Sequence, residues 1–238
     1  MSIVPVILVM NDGFFLPYAL ESIRGFHRYV IYNAGSKDNT ENIIDWFVET
    51  EKAEFYVRHL PFLDPQIQGI FRNSMIAETQ SDWYLIVDGD EVYNKRELDE
   101  MRIWHPANHR YPSKIYGVFS RLEVNVDLTQ RYSEKRTHHR LYHRDAIWKG
   151  PHPGEEPCIK QKEENEFTVP VTTYHFHNTI RSPLEGDVPK RIKRKSQGTY
   201  HPGTLIPFNL LEETPILRKP INNFPVNPYL EKLQKEFK

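Results

Sequence analysis

Apolar residues follow two rhythms along the first hundred positions of this chain. The run "IVPVILVM" (3–10) has no polar face, as expected of an inner parallel strand covered on both sides. "LPYALESIRGF" then places Leu16, Leu20 and Ile23 on one helical stripe. "RYVIYN" reads as a second strand, the turn-forming cluster "NAGSKDNT" follows, and "TENIIDWFVETE" puts Ile43, Ile44, Phe47 and Val48 on one helical face. Asp38 or Thr40 is the expected cap of that helix. "AEFYVRHL" is a third strand, "PQIQGIFRNSMIAETQ" a helix with Ile67, Ile70, Phe71, Met75 and Ile76 on its apolar side, and "DWYLIVDGDE" a fourth strand. Strands separated by helices of this length predict a parallel sheet with right-handed crossovers, whose ligands bind at the carboxyl ends of the strands. "NAGSKDNT" and "DGDE" both sit at such ends and should face one crevice.

Beyond residue 110 the rhythm changes. "SKIYGVFSRLEVNV", "RTHHRLYHRDAIWKG" and "FTVPVTTYHFHN" predict strands of a mixed or antiparallel extension, with a helix from about Lys95 to Ile103 between the halves. The chain holds 18 prolines against 11 glycines, and the prolines crowd into the last third. Little regular structure is therefore expected from Pro183 onward, apart from a terminal helical turn near "LEKLQKEF". The expected organisation is one α/β domain over 1–182, with a first half at 1–95 and a second at 110–182. A basic, proline-rich extension over 183–238 packs on it.

Composition narrows the class only modestly. With 238 residues, 39% hydrophobic and 26% charged, the chain can bury a sizeable core. Its 31 basic and 32 acidic residues leave a net charge of -1, so global basicity does not argue for nucleic acid or membrane. The single cysteine, Cys158, excludes an internal disulfide and favours a reducing compartment. The apolar amino terminus is too short to span a bilayer. A cytoplasmic protein is expected, with peripheral membrane contact left open.

The chemistry concentrates where the fourth strand ends. Asp88, Asp90 and Glu91 lie too close together for like charges, so a proton or a cation must sit among them. A glycine between two aspartates lets the backbone turn so that both reach one ligand. Mg²⁺ and Mn²⁺ prefer such oxygens and are often completed by substrate phosphates. A solvated acidic turn capping the next helix would give the same letters.

Taken in order, these pieces resemble the family-2-type glycosyltransferases of GT-A fold over roughly residues 3 to 95. The matching pieces are a first strand and helix, the "NAGSKDNT" segment with Gly35, Ser36, Asp38 and Thr40, the Arg72–Asn73 pair, and a hydrophobic strand running into D-x-D-E. The resemblance implies a nucleoside-diphosphate-sugar donor, UDP-sugar by default, and a Mn²⁺ or Mg²⁺ ion. It implies that Asp90 holds the metal and that Asp88 meets the ribose or base, with Asp88 also a candidate ligand. Asp38 and the "NAGS" turn, Asn33 included, would line the nucleoside pocket. Asn11 and Asp12 would stand where the family first contacts the donor, and Arg72 would lie near the donor or pair with Asp88 or Asp90. This chain has Asn33 and Ala34 where the family usually carries two acids that read the base, which leaves the nucleotide open.

"RLYHRDAIWKGPHPGEEP" and "TVPVTTYHFHN" resemble segments of bacterial relatives in the same family, lipopolysaccharide-core glucosyltransferases among them. Displacement at an anomeric carbon needs a base for the attacking hydroxyl, and carboxylates usually serve. Glu155 and Glu156 are the candidates, against the reading of a surface acidic pair. His175 and His177 point to one face of a strand; His177, His175 or His152 could complete the metal shell, or serve structurally. "THHR" (137–140) and His143 read as surface or strand residues. The run "KRIKRK", Lys190 to Lys195, holds five cations in six residues and suits a polyanion or a solvated face. The acceptor could be a glycan such as lipopolysaccharide or, as in some phage enzymes, a hydroxymethylated DNA base, so a bacterium or a phage-infected cell is the expected setting. A two-metal phosphoesterase or nuclease, and a non-catalytic nucleotide-binding module, remain the rival classes.

Overall fold

The computed structural model describes residues 3–61, 64, 67–103, 116–146, 148–149, 156–157, 166–185 and 204–237. Within them, strands and helices alternate through β1 (Ile3–Val9), α1 (Leu16–Ser22), β2 (Arg28–Ala34), α2 (Thr40–Thr50), β3 (Glu54–Leu60), α3 (Gln68–Thr79) and β4 (Trp83–Val87). β5 (Glu91–Tyr93) and α4 (Lys95–Ile103) follow, then β6 (Tyr116–Glu123), β7 (Gln130–Tyr132), β8 (Arg136–His143), β9 (Trp148–Lys149), β10 (Glu156–Pro157) and β11 (Glu166–His175). The chain ends with a 3-10 turn (Pro183–Glu185), β12 (Leu205–Pro207), α5 (Leu210–Glu213), a second 3-10 turn (Pro215–Arg218) and α6 (Pro228–Glu236).

One eight-stranded sheet runs in the order β3-β2-β1-β4-β8-β6-β11-β5. β3, β2, β1 and β4 are mutually parallel, β8 is antiparallel to both β4 and β6, β11 is parallel to β6, and β5 closes the edge antiparallel to β11. This is the α/β architecture expected of a GT-A fold, with the second half joined to the first as one continuous sheet.

The apolar runs of β1 and β4 are explained by burial on both faces. Ile3, Ile7, Val9, Trp83, Leu85 and Val87 pack against Leu16 and Leu20 of α1, Ile43 and Phe47 of α2, and Leu98 and Met101 of α4. The alternate residues Val4, Val6, Leu8, Tyr84 and Ile86 pack the other way, against Met75 of α3 and against Tyr116, Tyr142 and Trp148. Because side chains alternate across a strand, only a strand with two covered faces can be apolar at every position. The carboxyl ends of β1, β2 and β4 therefore open side by side.

The carboxyl-terminal third holds more regular structure than its prolines predict. Pro215 and Pro228 occupy the first helical turns of their elements, where a missing N–H costs nothing. Asn227 caps α6 through its side chain, accepting from the N–H groups of Tyr229 and Leu230. Leu210, Leu211, Leu217 and Leu230 are buried with Phe14, Phe15, Tyr18, Val92, Tyr174 and Phe176 in a third core cluster. There Phe15 stacks on Phe176 with ring centroids 4.3 Å apart. No helix among the described residues is long and apolar enough to cross a membrane.

Since the Leu230 side chain is completely buried, Leu230→Ala should cost about 2–5 kcal/mol in denaturant unfolding. A loss below about 0.5 kcal/mol, the level of an ordinary surface change, would show that the last helix lies outside the cooperative core.

Candidate active site

The ends of β1 and β2 are sewn together by the side chains of the turn between β2 and α2. The Asn11 N–H donates to Ser36 Oγ (3.0 Å), and Asn11 Oδ1 accepts from the Lys37 N–H (2.7 Å). Asn11 sits at a φ of 56°, a left-handed conformation that asparagine tolerates better than most residues. The Asp12 N–H donates to Thr40 Oγ1 (3.2 Å) and the Gly13 N–H to Asp38 Oδ2 (3.0 Å). Asp38 also accepts from the Thr40 N–H (3.0 Å) and from Ser182 Oγ (2.6 Å). Asn39, just before α2, makes no side-chain cap. Asp38 Oδ1 accepts from the N–H of the first α2 residue while its Oδ2 holds Gly13, so the expected Asp38 serves the helix start and the β1 end together. Asn33 accepts from the Ser36 N–H (3.1 Å) and lies 3.4 Å from the His59 ring. Thus Asn11, Asp12, Asn33 and Asp38 are all brought to one edge of the crevice.

The three acids after β4 separate. Asp88 and Glu91 share Arg140 of β8: its Nη2 lies 2.7 Å from Asp88 Oδ2 and also reaches Glu91 Oε1, while its Nε lies 2.7 Å from Glu91 Oε2. Arg72, stacked 5.1 Å over Trp148, approaches Asp88 Oδ1 at 3.7 Å. Burial alone would raise the Glu91 carboxyl, but Arg140, with His138 beside it, holds it well below the usual carboxylate range. Burial would likewise strip charge from Arg140, and Asp88 and Glu91 hold the guanidinium charged. His138 is pushed down to about 4 by burial and by Arg140.

Asp90 turns the other way. Its Oδ2 accepts from Arg181 Nη1 (2.8 Å), and the same nitrogen lies 3.0 Å from Asp12 Oδ1. The glycine between the aspartates makes room for this contact: a Cβ on Gly89 would stand 2.7 Å from Asp12 Cβ and 2.8 Å from its Cγ. Its role is therefore close approach of the β4 end to the β1 end, and the two aspartates meet different partners rather than one.

Asp90 also meets the end of β11. The Phe176 N–H donates to the Asp90 carbonyl (2.9 Å), and His175 pairs with Glu91 in the β5–β11 register. Ligand atoms of Asp90, His175 and His177 all lie within 4.8 Å of one another, with His175 Nε2 3.7 Å from Asp90 Oδ2. Burial opposes charge on His175, yet Asp90 and Glu123 raise its pKa. One carboxylate with two imidazoles fits a divalent transition ion, and suits Mn²⁺ better than Mg²⁺, which favours an all-oxygen shell. Asp90 and His177 of the expected ligand set are in this group, His175 joins them, and Asp88 stands apart on Arg140.

Glu155 lies outside the described residues, as do His152 and Lys190 to Lys195. For Glu156 the backbone alone is described, in β10, where the neighbouring Pro157 pairs with Trp148 beneath Arg72.

Sequence reasoning left Arg140 among surface or strand residues and passed over Arg181 and Glu123. For Arg140 the pattern gives no single face: Leu141 and Tyr142 beside it are both buried, in different core clusters, and the β6–β8 register shifts between Leu141 and His139. Arg181 follows β11 in an irregular segment, where periodicity gives no orientation.

No protein-family model matches this sequence, and no curated protein matches it. Among solved structures, S. aureus TarS 1–349 in complex with UDP-GlcNAc is similar over 100% of this chain and 71% of its own, at 15% identity and a TM-score of 0.49. GalNAc-T7 with UDP, GalNAc and Mn²⁺ is similar over 77% of this chain and 44% of its own, at 10% identity and a TM-score of 0.46. In the longer S. aureus TarS structure the match covers 52% of this chain and only 22% of that one, at 20% identity and a TM-score of 0.43. All three likenesses are weak, so the roles of these residues rest on their own geometry.

Replacing Arg140 by Met would leave Asp88 and Glu91 without their main cation and should cost about 3–5 kcal/mol near neutral pH. In the native protein Glu91 has a lowered pKa, so its contribution is complete above the ordinary carboxylate range and fades as pH falls through its folded value. Without Arg140, burial dominates and the sign reverses. The deficit of the variant should therefore shrink as the pH is lowered. A deficit that is small, or constant with pH, in urea unfolding would refute this account of the cluster.

Proposed function

We propose that this chain is a metal-dependent glycosyltransferase that moves a sugar from a nucleoside-diphosphate donor to an acceptor hydroxyl with inversion. The observation that carries this reading is the meeting of Asp90, His175 and His177 where parallel strands β1, β2 and β4 end. That is the crevice in which open α/β sheets bind ligands, and its donor set fits a divalent ion.

Each side chain has a task in this reading. Asn11, Asp12, Asn33 and Asp38 line the nucleoside side of the crevice, with a UDP-sugar as the default donor. Amide groups at Asn33 would then read the base where the family uses acids. Asp88, held by Arg140, faces the ribose, and Arg72 lies beside it. Asp90, with His175 and His177, would hold a Mn²⁺ ion, which when bound offsets charge on the leaving diphosphate. Arg181, already within reach of Asp90 and Asp12, adds a fixed positive charge at the same place. Glu155 or Glu156 takes the proton of the attacking hydroxyl. Residues 1–182 form the transferase domain and 183–238 its extension, and the Lys190 to Lys195 run would meet an anionic acceptor, a glycan or a modified DNA base.

A thermal-shift panel of nucleotide-sugars with Mn²⁺ or Mg²⁺ tests the donor site directly. Stabilisation by a nucleoside diphosphate should require the metal and should exceed that given by the metal alone. Asp90→Ala should remove that ligand-dependent shift, measured against the variant's own lower unliganded melting temperature, and should abolish transfer. Full transfer by that variant, or by the native protein in excess EDTA, would end the metal assignment.

Glu155→Gln and Glu156→Gln, assayed separately, should identify the base through a turnover loss of about 10²-fold or more in one of them. Unimpaired turnover in both would move the base elsewhere.

A further inference from the structure

The trio of Asp90, His175 and His177 is backed by a second set of charges on the neighbouring strand. Glu123 is the last residue of β6, and in the parallel register with β11 it stands directly beside His175. Its Oε2 lies 2.9 Å from His175 Nδ1, and its Oε1 lies 3.0 Å from Arg121 Nη2. Arg121 in turn reaches His138 Nδ1 at 2.8 Å through its other terminal nitrogen. Glu123 is 9% exposed and His175 8%, so the pair is almost withdrawn from water. Burying a carboxylate beside an imidazole is costly unless the contact is hydrogen-bonded. Here each Glu123 oxygen has a partner, and the carboxyl is held down to about 2: burial opposes this, and His175 and Arg121 outweigh it.

The geometry has a directional consequence. An imidazole that gives its Nδ1–H to a carboxylate has only Nε2 left for another partner, and the carboxylate fixes the ring plane. His175 Nε2 is the nitrogen that faces Asp90 Oδ2, at 3.7 Å. We infer that Glu123 is a positioning residue for the metal trio: it holds His175 by Nδ1 so that Nε2 is the atom presented to a divalent ion. Arg121 serves one step further out, keeping the Glu123 carboxylate turned toward His175. This rests on the metal assignment of Asp90, His175 and His177, and it adds a residue that touches neither metal nor substrate.

The test uses the full chain and Mn²⁺ alone, with free Mn²⁺ followed by electron paramagnetic resonance and no nucleotide present. The native protein should bind Mn²⁺, and Asp90→Ala should not. Glu123→Ala should bind about 10- to 100-fold more weakly. Glu123→Gln, whose amide oxygen can still accept from Nδ1–H, should recover most of that loss. A native protein that binds no Mn²⁺ would defeat the metal assignment itself. Native binding undiminished in Glu123→Ala would defeat only the role of Glu123. Equal weakening in the Ala and Gln variants would trace the effect to negative charge rather than ring orientation, and would also defeat that role. Nitrogen-15 spectra of the native protein loaded with Zn²⁺ give a reading independent of any variant. His175 should coordinate through Nε2 and keep a proton on Nδ1; coordination through Nδ1 would overturn the inference even if Glu123→Ala failed to fold.

Discussion

The constraint on which this molecule turns is the crowding of negative charge at the carboxyl end of β4. Asp88, Asp90 and Glu91 follow a fully buried strand, and Asp12 is pressed against Gly89 from the end of β1. Four carboxylates so placed cannot all stay ionised in a half-dry crevice without cations of comparable reach. The fold supplies them from elements distant in sequence: Arg140 from β8 for Asp88 and Glu91, and Arg181 from beyond β11 for Asp12 and Asp90. Arginine suits the task because its planar, permanently charged fork can serve two carboxylates at once.

This arrangement couples the two halves of the chain. β8, β6 and β11 extend the sheet begun by β3, β2, β1 and β4, and the charges reach across the same boundary. Arg140 ties β8 to the β4–β5 turn, Arg181 and Ser182 tie the segment after β11 to Asp90 and Asp38, and Phe14 donates to the Arg181 carbonyl. The crevice walls are therefore set by the whole sheet, not by the first half alone.

That coupling also explains what could be read in the sequence. β1 through β4 and their helices were legible because local periodicity and two-sided burial agree there, and "DGDE" and "NAGSKDNT" stand at strand ends, where ligand chemistry is expected. The need for a positive partner among the acids was legible too, but its identity was not. Arg140 sits in a polar strand, "RTHHRLYH", where Leu141 and Tyr142 are both buried and a register shift interrupts the alternation, so the letters assign it no face. Glu123 and Arg181 acquire meaning only through neighbours 52 and 91 residues away. The terminal helix was expected only as a turn near "LEKLQKEF", and α5 and the 3-10 turn after it escaped notice, because proline frequency was weighed without position; Pro215 and Pro228 begin their elements rather than break them.

The charges around Asp90 bear on how an ion would be held there. Arg181 and His175 converge on the same oxygen, Oδ2, from 2.8 Å and 3.7 Å. A divalent ion gathered by Asp90, His175 and His177 would thus share its only carboxylate among the three with a guanidinium. Repulsion between the two cations weakens the ion's hold as long as both rely on Asp90. Any diphosphate entering the crevice would bring new anionic oxygens for both, relieving that repulsion. In such a site the metal and the anion bind most tightly together, and by linkage each strengthens the other equally. The Asp90–Arg181 contact is thus what would let a diphosphate tighten the hold on an ion that the trio binds more weakly by itself.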